Sequence, residues 1–60
     1  MEELKRIVEE INQIAESLKA ENEKNVEKGI KAAGKRARKI SVELGKKLKL
    51  FREISITANK

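Results

Sequence analysis

The sequence has no cysteine, histidine, proline, tryptophan or tyrosine, and one aromatic residue, Phe51. Without cysteine or histidine there is no disulfide staple and no zinc-type ligand set, and the commonest general base is missing. Ser17, Ser41 and Ser55 have no imidazole to activate them. Gly29, Gly34 and Gly45 fit none of the nucleotide-binding loop spacings. Glutamates such as Glu9, Glu16 and Glu23 recur at helical spacing, which marks a solvated face rather than an acid and base pair. No enzyme activity, metal, cofactor or small-molecule substrate is therefore expected. No apolar run approaches the length needed to span a bilayer, and the acidic start "MEELKRIVEE" lacks the basic opening of a secretory signal. A soluble, cytoplasmic chain is the expectation, and the absence of proline leaves long helices uninterrupted.

What is present is charge and period. Of the 60 residues, 42% are charged and 38% hydrophobic, and the hydrophobic ones recur with a clear helical spacing. Leu4, Ile7, Val8, Ile11, Ile14, Ala15 and Leu18 form one stripe; Ile30, Ala33, Ala37, Ile40, Leu44, Leu48, Phe51 and Ile54 form another. The segment "ENEKN" interrupts the pattern between them. The spacing predicts an all-α fold, an antiparallel two-helix hairpin forming one domain over residues 1–60. Helix one is expected at about 2–27, the turn at about 28–30 and helix two at about 31–57. Gly29 suits the turn because glycine takes the left-handed conformation at a helix end. A turn nearer Asn25 is also compatible with the heptad-like pattern. Folding at Gly29 sets Leu18 against Ile40, Ile14 against Leu44, Ile11 against Leu48, Ile7 against Phe51 and Leu4 against Ile54.

A stripe holding both Ile7 and Val8 is wider than one helical neighbour can cover, and a chain this short buries little of its surface alone. A homodimer, two hairpins forming a four-helix bundle, would cover the rest. Leu4, Ile7, Val8, Ile11, Ile14, Leu18, Ile40, Leu44, Leu48 and Phe51 are the expected core and dimer residues. Gly34, Ala37, Ser41 and Gly45 make a small-residue edge along helix two that would let a neighbouring backbone approach.

The charges divide at the same boundary. Residues 1–27 carry eight acids against four bases, a net of −4, and residues 28–60 carry eleven bases against Glu43 and Glu53, a net of +9. At 100° per residue Lys28, Lys31, Lys35, Arg38, Lys39, Lys46 and Lys49 cluster opposite the apolar stripe. A row of this kind can approach successive phosphates and release counterions, giving salt-sensitive binding without sequence specificity. A solvated face partly paired with helix-one glutamates is the plain alternative. With Phe51 assigned to the core there is no stacking platform for single strands, so double-stranded DNA is the expected polyanion. Nothing resembles a helix arrayed to read base edges. Val42, Leu50 and Ile56 fall on or beside the polar side, yet no Trp or Tyr anchors an interface, so a membrane is not expected as partner.

The stretch "EKGIKAAGKRARKISVELGKKLKLFREISI", residues 27–56, resembles the bacterial histone-like nucleoid protein family of the chlamydial type. The resemblance rests on Gly29, Lys31, Ala32 and Ala33, the Arg36 and Arg38 pair, Ser41, Glu43 and Leu44, and Phe51, Arg52, Ser55 and Ile56. It implies a small DNA-binding, chromatin-compacting protein of the nucleoid whose helical region self-associates. It also implies that Lys31, Arg36 and Arg38 contact DNA. The chlamydial protein continues into a lysine- and alanine-rich tail, whereas this sequence stops at Lys60, which suggests a short form. Ile30 stands where the family often has Asn, a natural helix cap. The alternative function is a structural interaction module, a helical dimer whose basic face binds an acidic protein.

Overall fold

The computed structural model describes residues 2–59; Met1 and Lys60, the ends of the expected domain, lie outside them. Two helices account for nearly all of it, α1 over Glu2–Lys28 and α2 over Lys31–Ala58. Glu2 and Glu3 in the first turn of α1 and Lys28 in its last complement the helix dipole. Lys28 completes α1 rather than opening the turn, which is reduced to Gly29 and Ile30. Gly29 makes that short turn possible: its φ of +67° lies in the left-handed region, where a side chain would be strained. The Ile30 N–H reaches back to the Lys24 carbonyl at 3.3 Å, tying the turn to the last full turn of α1.

Asn25, the other turn position that the pattern allowed, lies within α1 and has a different task. Its Nδ2 donates to the Ile30 carbonyl at 3.1 Å, bracing the start of α2. Gly34 then packs directly on the Asn25 amide, so closely that a Cβ there would lie 2.9 Å from Nδ2. Beside this brace Ala33 and Ala37 are buried, at 0% and 5% exposure, so small side chains bring the helices together near the turn. Farther out the seam uses larger residues. Ile7 is buried, and Leu4, Ile11, Ile14, Leu18, Ile40, Leu44, Phe51 and Ile54 are half-buried.

Two ion pairs record the register. Arg36 Nε donates to Glu21 Oε2 at 2.8 Å, and Lys47 Nζ donates to Glu10 Oε2 at 3.2 Å. Both join residues equidistant from the Lys28–Gly29 bond, so the register agrees to within one residue with pairing about Gly29. Val8 and Leu48, at 37% and 38% exposure, are only partly covered. No large side chain among the described residues is fully buried. A two-helix seam is too narrow to close over these stripes.

Candidate nucleic-acid interface

The pair of helices forms a ribbon, with Cα extents of 45 × 15 × 11 Å. Its narrow edges carry opposite charge. The seam of α2 runs through Ala33, Ala37, Ile40, Leu44 and Phe51, and half a turn away from it lie Lys31, Lys35, Arg38, Lys39, Lys46 and Lys49, all exposed. The seam of α1 runs through Ile7, Ile14 and Leu18, and half a turn from it lie Glu9, Glu16, Glu23 and Glu27, also exposed. Because each helix spends its apolar stripe on the other, the charges opposite that stripe point outward. The charge division along the chain thereby becomes a division across the molecule.

Of the residues expected to meet a polyanion, Lys31, Lys35, Arg38, Lys39, Lys46 and Lys49 stand together on the α2 edge and form no ion pair with another described residue. At a rise of about 1.5 Å per residue, Lys31 to Lys49 covers about 27 Å. Beyond Lys49 the same phase is taken by Glu53 and then Ile56, so the cationic row ends there. Val42, 61% exposed, interrupts it midway. Lys28 ends α1, so the helical phase of α2 does not place it in this row.

Arg36 is placed differently. Its guanidinium is tied to Glu21, which Lys24 also approaches at 3.7 Å. The Arg36 hydrogen bond is the main cause that holds the Glu21 carboxyl below the usual carboxylate range. Arg36 therefore faces α1, and its half-exposed side chain is already engaged. Lys47, outside the expected contact row, is likewise turned to the seam by Glu10.

The N-terminus of α2 adjoins this row without a cap. Ile30 occupies the N-cap position with no side-chain hydrogen bond, and the first turn holds no acid. The helix therefore begins with its positive dipole end and its lysines at one place. Among the described residues no cluster of acids could hold a metal ion, and no helix is long and apolar enough to cross a membrane.

No curated protein and no solved structure matches the chain. The family model described as histone H1-like protein Hc1 does, over residues 5–60, which include both helices and the turn. With nearly the whole chain matched, the protein belongs to the histone H1-like protein Hc1 family.

Proposed function

We propose that this protein is a histone-like DNA-binding protein of the nucleoid that contacts duplex phosphates without sequence specificity. The contact is the α2 edge, and its occupancy helps compact or organise DNA. The carrying observation is the row of cations from Lys31 to Lys49, free of ion pairs with the other described residues and set on the edge opposite the acids. Membership of a histone H1-like family supports the same reading. A row about 27 Å long at about 1.5 Å per residue can follow a duplex backbone that carries a charge every ~1.7 Å. Phosphate contact alone positions a protein without reading sequence.

The test is a mobility-shift titration with random-sequence duplex DNA over a range of salt. With about four to six phosphates neutralised per protomer, log affinity falls against log salt with a slope near −4 to −5. Replacing Lys35, Arg38 and Lys39 together by glutamine flattens the slope by about 3 and leaves helicity unchanged. An unchanged slope would remove the α2 edge as the contact. Failure to bind duplex at low salt, with an acidic polypeptide retained instead, would replace the DNA reading by a protein-docking one.

A further inference from the structure

The cations of the α2 edge form two lines with a hydrocarbon between them. Successive residues step about 100° around a helix and about 1.5 Å along it. Measured from Val42, Lys31, Arg38 and Lys49 fall about 20–40° to one side, and Lys35, Lys39 and Lys46 about 20–60° to the other. Arg38 and Lys46 stand about 6 Å below and above Val42 on opposite flanks, and Lys35 and Lys49 repeat this with the flanks exchanged at about 10 Å. Val42 itself lies half a turn from the seam residues Ala33, Ile40, Leu44 and Phe51, so it points directly away from α1. It is 61% exposed, on the centre line of the edge.

Given the duplex-binding reading, on which this rests, we propose that α2 lies in the major groove of DNA, with its two cationic flanks on the phosphates of the two strands and Val42 against the base edges between them. Three observations select the groove. The first is fit. The major groove is about 12 Å wide and admits one α-helix with its side chains, about 10–12 Å across, whereas the minor groove at about 6 Å does not. Only α2 has to enter, because α1 lies behind it on the side opposite Val42, and the exposed Glu9, Glu16 and Glu23 face farther still from the duplex.

The second is the centre line. A helix laid along a single strand would turn the middle of its edge to phosphates, where a cation belongs, and the residue there is valine. Base edges suit it, because a valine methyl can pack on the C5 methyl of thymine. Such a contact carries no hydrogen-bond code, so it adds a modest preference for thymine and defines no site. The third is the placing of acid. Between Lys31 and Lys49 the one acidic residue, Glu43, lies about 100° from Val42, beyond either flank, so no carboxylate enters the groove.

The test compares the full chain on chemically altered duplexes in the salt-titrated mobility shift. Glucosylated 5-hydroxymethylcytosine in place of cytosine fills the major groove with sugar and leaves every phosphate in place. On that duplex one flank loses its strand, and the slope of log affinity against log salt flattens by about 2–3 relative to the same sequence unmodified. An alternating A·T duplex with uracil in place of thymine lacks the major-groove methyl groups. Wild type binds it about fourfold more weakly than the thymine duplex, the effect of one buried methyl. Val42→Ala, which favours the helix, binds the two alike. An unchanged slope on the glucosylated duplex overturns the groove seating and leaves phosphate contact by the α2 edge standing. Equal losses in wild type and Val42→Ala on removing the methyls, or no loss in either, overturn the role of Val42. Failure to bind unmodified duplex at low salt overturns the duplex-binding function and the groove seating together.

Discussion

Substituting Gly34 by alanine should destabilise the hairpin even though it improves helix propensity. In a helix interior, glycine to alanine contributes about 1 kcal/mol of stability where there is room for the methyl group. Here a Cβ would stand 2.9 Å from Asn25 Nδ2, 3.1 Å from its Cγ and 3.2 Å from its Oδ1. The short Asn25 side chain would have to leave, giving up its 3.1 Å bond to the Ile30 carbonyl. That bond contributes about 0.5–1.5 kcal/mol, and overpacking adds about 1–3 kcal/mol of cost. After the propensity gain is subtracted, the net expectation is a loss of about 0.5–3.5 kcal/mol. In an Asn25→Ala background the obstruction is absent, and the same Gly34→Ala change should stabilise by about 1 kcal/mol. Urea denaturation followed by circular dichroism, at one fixed protein concentration so that association does not shift the midpoint, measures both legs of the cycle. If Gly34→Ala stabilises equally in both backgrounds, Asn25 does not brace the turn and the contact has no energetic weight.

Ile30→Asp supplies the missing N-cap of α2 and a negative charge at its dipole end, and should raise stability by about 1 kcal/mol, read as a rise in Tm of ~4–8 °C. Gly29→Ala forces a side chain into the left-handed region and should cost about 1 kcal/mol, with Gly29→Asn costing less. The depressed carboxyl of Glu21 contributes stability that is complete above its unfolded-state pKa and is lost as pH falls through its folded-state value. Glu21→Gln should therefore lower the urea midpoint at neutral pH, and the gap from wild type should close in acid; a gap constant down to acid pH would exclude the Arg36 pairing as its cause.

The fold was legible because two stripes of period 3.6 can cover each other lengthwise, and because glycine marks which of the two compatible turns the chain takes. Ala33, Ala37 and Ile40 were recognisable as seam by spacing alone. Asn25 was not, since its importance comes from a carbonyl five residues on and from the missing Cβ at Gly34, a fit that periodicity does not encode. Arg36 shows the same limit from the other side: a basic residue in a basic segment reads as a polyanion contact, and only the antiparallel register brings Glu21 to it. Val8 and Leu48 fit the apolar stripes but lie at their margins, where one neighbouring helix cannot reach. The α2 edge was legible as a set of residues, whereas its end at Glu53 depended on knowing where the seam runs.

The separation of charge between the two edges limits what one hairpin can hold. If the α2 edge is the contact, the anionic side would turn away a duplex that approaches from behind, and a lone molecule would be monovalent toward polyanions. On the proposed reading, holding two DNA segments side by side would need more than one hairpin, with valency set by protein concentration as well as by salt.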